Sequence, residues 1–212
     1  MRILVTAGGT REYIDPVRYI TNASSGRMGY AVAQRADELG HEVVLISAPT
    51  NIAYPRHTRI IDVETSAEMF EQVRNEFPLC DCLVMCAAVA DYTPETVSDR
   101  KIKKQESEIL LRLKPTADII KWASRNKRDD QMIVGFALED KDVLENALAK
   151  MKRKNMDVIV ANKPEAISGD GSKVFIKNGD EDWREYPERH KSETAIELMK
   201  IIEQFFQKTG NK

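Results

Sequence analysis

Much of what announces a protein's environment is missing from this sequence. It does not open with a basic segment followed by an apolar one, and no apolar run approaches the roughly 18–20 residues that cross a bilayer. The expectation is a cytoplasmic protein with no membrane partner. A basic excess is absent too: 32 Lys and Arg against 34 Asp and Glu leave a net charge of -2, which argues against a surface that tracks nucleic acid. Any basic site has to be local. Cysteine is scarce, and Cys80, Cys82 and Cys86 fall within one short apolar run, where the period-2 pattern predicts reduced thiols sharing a strand face rather than bridges. Zinc would need a fourth ligand, and His41, His57 and His190 all lie far from that run, so no metal ligands are assigned. Internal repeats and low-complexity tracts are lacking beyond the polar C-terminal end.

What is present reads as one globular α/β domain over residues 1–212, with 42% hydrophobic and 31% charged residues. Arg2 to Thr6 is a buried strand pattern stopping at Ala7-Gly8-Gly9, and a loop follows to about Ser24. Met28, Ala31, Val32, Ala36 and Leu39 then recur at helical spacing, with Ser24 or Ser25 suited to the N-cap and Gly40 to the C-cap. Strands are predicted over Val43–Ser47, Ile60–Val63, Leu83–Ala88, Met132–Ala137 and Asp157–Val160. Helices are predicted over Ser66–Asn75 with a capping serine, Ala117–Asn126, Asp142–Lys154 and Ser192–Phe206. This alternation implies a Rossmann-like, doubly wound, mostly parallel sheet. A polar, lysine-rich flap over about 91–114 interrupts it, with a short strand pattern at Ile109–Leu113. Asn178-Gly179 marks a small C-terminal β-hairpin between Lys173–Lys177 and Trp183–Tyr186.

Doubly wound sheets bind ligands at their carboxyl edge, where Gly8, Gly9 and the helix start Ser24-Ser25-Gly26 would meet. Exposed N–H groups and a helix dipole there suit an anion such as phosphate. The spacing is neither G-x-G-x-x-G nor a P-loop. Ser47-Ala48-Pro49, at the end of the second strand, offers no carboxylate for a ribose, and no tyrosine has a lysine four residues on. Both absences disfavour an NAD(P)-dependent reductase. Lys101-Ile102-Lys103-Lys104 in the flap could close on polyphosphate or form a solvated turn. Lys150 and Lys154 share a helix face and could grip phosphates or complement the helix dipole.

Taken together, Thr6-Ala7-Gly8-Gly9-Thr10-Arg11-Glu12, Asp15 through Asn22, Ser24-Ser25-Gly26-Arg27-Met28-Gly29, Ala87-Ala88-Val89-Ala90-Asp91-Tyr92, Lys101 to Lys104 and Val134-Gly135-Phe136-Ala137 resemble the phosphopantothenate-cysteine ligases over nearly the whole chain. Arg27 stands where the family usually has lysine, and Ala117 where it has proline. The resemblance implies that 4'-phosphopantothenate is joined to L-cysteine through an acyl-cytidylate made from CTP, with Mg²⁺, in a homodimer. Because Met1 directly precedes the first strand, a ligase without the decarboxylase domain of many bacterial relatives is expected. The resemblance also implies site roles: Asn22 on the activated carbonyl, Lys101 on the nucleotide phosphates and Arg18 on an anionic group of phosphopantothenate. Ala88, Asp91, Ala117, Asp118, Ile119, Ile120, Phe136, Lys150 and Lys154 would line the nucleotide site with Gly8, Gly9, Ser24, Ser25 and Gly26. A nucleotide-binding module without turnover is the reading from another class.

Overall fold

The computed structural model describes residues 1–104, 106, 108–163 and 171–209. In chain order its elements are β1 (Arg2–Ala7), β2 (Arg11–Tyr13), β3 (Tyr19–Thr21), α1 (Arg27–Glu38), β4 (Glu42–Ser47), β5 (Arg59–Asp62), α2 (Ser66–Glu76), a 3₁₀ turn (Phe77–Leu79), β6 (Cys82–Met85), β7 (Tyr92–Pro94), β8 (Leu113–Pro115), α3 (Ile119–Arg125), β9 (Met132–Leu138), α4 (Val143–Arg153), β10 (Val158–Asn162), β11 (Gly171–Asn178), β12 (Arg184–His190) and α5 (Lys191–Thr209). Eight strands form one sheet in the order β12-β11-β10-β9-β6-β1-β4-β5. The six strands from β5 to β10 are parallel, and β11 and β12 extend the sheet antiparallel. The chain winds outward from β1 in one direction and returns to wind in the other. Its switch point therefore lies between β1 and β6, where doubly wound sheets place their ligands.

Strand alternation sorts the core into two layers. Ile3, Val5, Val43 and Leu45 pack with Val32 of α1 and Leu198 and Ile202 of α5. Leu4, Val44, Ile46 and Leu83 pack on the other face with Met69 and Val73 of α2, Ile120 of α3 and Met151 of α4. Near-continuous apolar runs such as Cys82–Met85, buried at every position, are what a strand covered on both faces requires.

Several local readings change. The segment to Ser24 is not all loop, since Arg11–Tyr13 and Tyr19–Thr21 pair as an antiparallel hairpin. Asn178-Gly179 does turn a hairpin, but its strands are the edge of the main sheet rather than a small appendage. Among the described residues of the flap the strands are Tyr92–Pro94 and, running just past it, Leu113–Pro115, which pair with each other, while Ile109, Leu110 and Leu111 are exposed. The flap's residues 105 and 107 lie outside the described residues. Neither Ser24 nor Ser25 is the N-cap of α1; that position is Gly26 at φ 76°, with the Gly26 N–H donating to Ser24 Oγ. Thr65, not Ser66, caps α2: its Oγ1 accepts from the Glu68 N–H at 3.2 Å, while the Ser66 N–H donates to buried Glu12. Cys80 precedes the strand, in the turn after α2, so period 2 does not apply to it. It packs in the α2 layer and Cys82 in the α1–α5 layer.

The approach of α1 to β1 is set by Gly29. A Cβ there would lie 2.6 Å from Ala7 Cβ and 2.8 Å from Thr6 O. Gly29→Ala must push the helix off the strand, and overpacking of this kind costs about 1–3 kcal/mol. At this chain length each kcal/mol lowers Tm by about 2–4 °C. Urea unfolding of the variant checks this, and an unchanged midpoint would refute the close-packing account.

Candidate functional site

The carboxyl ends of β1 and β6 are stitched together by backbone and threonine hydrogen bonds. Ala88 N–H donates to Gly8 O at 2.8 Å, Ala87 N–H to Thr6 Oγ1 at 3.2 Å and Ala90 N–H to Thr10 Oγ1 at 3.0 Å. Beside this seam opens a cavity of about 580 Å³. Asn22, Ser24, Ser25 and Gly26 line it at the start of α1, Ala88 and Asp91 beyond β6, Ala117, Asp118, Ile119 and Ile120 at the start of α3, and Phe136, Lys150 and Lys154 from β9 and α4. Segments more than 100 residues apart in sequence therefore share one enclosure. Among the described residues no side chain caps α1 at Gly26 and its first turn carries no acidic residue, so its positive end faces the cavity.

Two of the lysines are held. Lys150 Nζ donates to Phe136 O at 2.8 Å, and burial together with nearby Lys154 pushes its pKa down against the pull of Glu139 and Asp91. Lys154 Nζ lies 3.0 Å from Asp118, whose carboxylate also caps α3 by accepting from the Lys121 N–H at 3.1 Å. Burial alone would raise the Asp118 pKa, but the Lys121 N–H and Lys154 outweigh it and hold it below the ordinary carboxylate range. Among the described residues no three His, Cys, Asp or Glu side chains converge as a metal cage.

Four of the expected residues do not line the cavity. Gly8, at φ 83°, and Gly9 are used in backbone packing: a Cβ would meet Ala48 O at 2.6 Å from Gly8 and Asn22 O at 2.8 Å from Gly9. Their small size admits the protein's own chain. Arg18 is engaged by the fully buried carboxylate of Asp15 through Nε at 2.9 Å and through Nη2, which also donates to Ile102 O at 2.6 Å. Lys101, next to Ile102, is exposed on the flap.

Asn22 does line the cavity, but its Nδ2 donates to Ala88 O and Val89 O, each at 3.2 Å. Sequence reasoning missed Asn162, Ser172 and Lys191, which complete the far wall. Lys191, the first residue of α5, has its pKa pushed down by burial and by Arg27, another lining residue. Nothing in local sequence marks them, because only the pairing of β10 with β11 and the return of α5 bring them to the site. The end of β4 carries no ribose-binding group: the Ser47 hydroxyl is engaged with Tyr30 Oη and Ala48 O, each at 2.9 Å.

Strand order and a cavity at the switch point, lined by the start of α1 and by Lys150 and Lys154, define a doubly wound α/β domain with its cavity at the carboxyl edge of the sheet. The chain belongs to the family of the DNA/pantothenate metabolism flavoprotein C-terminal domain, whose model matches residues 1–206. The coenzyme A biosynthesis bifunctional protein CoaBC of Bacillus subtilis (strain 168) is 41% identical over 217 residues, covering 99% of this chain and 53% of its own length. The chain thus spans about half of that relative. The crystal structure of the C-terminal domain of a CoaBC protein matches with a TM-score of 0.85 at 39% identity, covering 98% of this chain and 96% of that one. A Cab2 mutant in complex with phosphopantothenate-cysteine shares the fold, with a TM-score of 0.80 at 16% identity over 100% of this chain and 89% of its own.

Because the folded pKa of Asp118 is lowered, its carboxylate adds stability above the ordinary carboxylate pKa, and that stability is lost as pH falls through the folded value. Asp118→Asn keeps a capping side chain but loses the charge that faces Lys154. Urea unfolding should show the variant less stable than the parent near pH 7, with the gap narrowing near pH 3. A gap independent of pH would contradict the assignment.

Proposed function

We propose that this chain is a phosphopantothenate-cysteine ligase acting in coenzyme A biosynthesis. The observation that carries this reading is the cavity at the β1–β6 switch point, where the uncapped start of α1 and the Lys150–Lys154 face of α4 converge. Membership of the family and the likeness to the CoaBC C-terminal domain support it. In the first step a carboxylate oxygen of 4'-phosphopantothenate attacks the α-phosphorus of CTP; the bond to the β-phosphate oxygen breaks and pyrophosphate leaves. In the second, the neutral amine of L-cysteine attacks the acyl carbon, CMP departs, and the amide forms with loss of the amine proton. Activation is needed because a carboxylate is a poor acyl donor.

Positioning and charge neutralisation supply most of the catalysis in this reading. The nucleotide lies against Ser24, Ser25, Gly26, Ala88 and the Ala117–Ile120 turn, with its phosphates toward α1 and the lysines. Lys101 reaches those phosphates from the flap. Mg²⁺ would be held by phosphate oxygens and Asp91, since hard cations in such sites use one or two carboxylates plus substrate. Asn22 turns from the two loop carbonyls to the acyl oxygen; at 3.2 Å both of its present bonds are longer than the usual 2.9–3.0 Å, so exchange is cheap. Arg18 meets an anionic group of phosphopantothenate only from within its clasp on Asp15. We further propose a cytoplasmic homodimer, its interface on the hairpin and flap faces that leave Val17, Tyr19, Tyr92, Ile109 and Leu110 exposed.

Pyrophosphate release with phosphopantothenate, cysteine and Mg²⁺ tests the function, with CTP expected to outpace ATP by a wide margin. Equal rates would overturn the choice of base. No turnover with either would favour a nucleotide-binding module, and a hydride-transfer signal with a nicotinamide would favour a reductase. Asn22→Ala is expected to bind CTP nearly as the parent does but to form the amide about 10²–10³ more slowly, the usual cost of one donor to a developing oxyanion. Quenched single turnovers should then show accumulated acyl-cytidylate; amide formation within a few-fold of the parent would return Asn22 to bracing its loop.

A further inference from the structure

We infer that Asp15 is a positioning residue whose carboxylate clasps the flap peptide at Ile102 and so fixes where Lys101 stands; the link to turnover rests on the role proposed above for Lys101. Asp15 follows β2 and is fully buried. Its Oδ1 accepts from the Val17 and Arg18 N–H groups, each at 2.9 Å. Its Oδ2 accepts from Arg18 Nε at 2.9 Å, from Arg18 Nη2, and from the Ile102 N–H at 3.0 Å across 87 residues of chain. Arg18 Nη2 then donates to Ile102 O at 2.6 Å. Both backbone polar groups of Ile102 are thus gripped by one ion pair, the N–H by the acid and the carbonyl by the base. A second tie, Ser98 N–H to Ile14 O at 3.0 Å, holds the flap's approach to the same turn.

The chemistry of this clasp is specific to a carboxylate. Five donors converge on two oxygens, and a buried carboxylate persists only with such partners. The Arg18 guanidinium beside Asp15 and the Val17, Arg18 and Ile102 N–H groups outweigh its desolvation and hold it well below the usual carboxylate range. An amide in its place would set an NH₂ against N–H donors. Recognition runs through the Ile102 backbone, so the clasp fixes chain position and register one residue from Lys101 without touching Lys101 itself. Arg18, expected from the resemblance to serve substrate, is in this structure half of the latch.

The test compares Asp15→Asn, Lys101→Gln, their double variant and Ile102→Pro, which removes the flap's N–H donor, stiffens the backbone at 101–102 and leaves the acid–base pair intact. Hydrogen exchange by mass spectrometry should show flap peptides around residues 96–104 exchanging at least about tenfold faster in Asp15→Asn and Ile102→Pro, as loss of a charged hydrogen bond implies, with sheet peptides unchanged. Turnover of Asp15→Asn should fall in kcat more than in the KM for nucleotide. The double variant should be no slower than the slower single variant, because both changes disable the same group. Parental flap exchange in Asp15→Asn, or losses that multiply in the double variant, would overturn the inference. If Asp15→Asn does not fold, Ile102→Pro decides, and parental exchange there overturns it equally. Fast flap exchange beside a Lys101→Gln enzyme of parental rate would retain the clasp and discard the proposed role of Lys101.

Discussion

The site depends on how closely three backbone segments approach one another at the carboxyl end of β1. Gly8 and Gly26 both adopt positive φ, and a Cβ on Gly26 would stand 3.3 Å from Gly8 Cα and 2.6 Å from Thr50 Cγ2. Gly29 continues the contact along Thr6 and Ala7, and Gly9 lets the Asn22 carbonyl pass. The result is a helix whose first turn is pressed against the strand end with no room for a side-chain cap. The start of α1 lines the cavity without a side-chain cap at Gly26, the arrangement that favours anions at helix N-termini. Glycine motifs often imply direct phosphate contact; here Gly8 and Gly9 act a layer behind the cavity, and Gly26 alone lines it.

Charge at the cavity is balanced rather than simply positive. Lys154 is neutralised in part by Asp118, Lys150 is half buried behind the Phe136 carbonyl, and Lys191 approaches Arg27 from the far wall. Burial first, and a neighbouring cation second, lowers the pKa of Lys150 and of Lys191. The three thiols take no part in this balance, because burial raises all of them, Cys80 to about 12, and keeps them protonated.

The flap is tied to the hairpin β2–β3 rather than to the sheet. Asp15 and Arg18 hold Ile102, and Thr116 at the flap's return donates to Ala90 O at 2.6 Å. Just before the returning strand it carries exposed apolar side chains, with Leu110 91% exposed, an unusual surface for so polar a segment.

The parallel core was legible in the sequence, because apolar runs separated by amphipathic helices leave a doubly wound sheet as the natural way to bury both faces of each strand. Ala88, Asp91, the Ala117–Ile120 turn, Phe136, Lys150 and Lys154, expected from the resemblance, do line the cavity, coming from beyond β6, from the start of α3, from β9 and from the end of α4. Boundaries and caps were less legible: Gly26 displaced two serines because φ 76° was needed where the helix meets Gly8, a constraint set by a contact and not by local preference. Tertiary structure alone decided that the C-terminal hairpin joins the main sheet, that Lys191 returns to the cavity, and that Asp15 and Arg18 grip Ile102. Each depends on groups many residues apart meeting in space, and hydrogen bonds and burial at such distances leave no periodic trace in the chain.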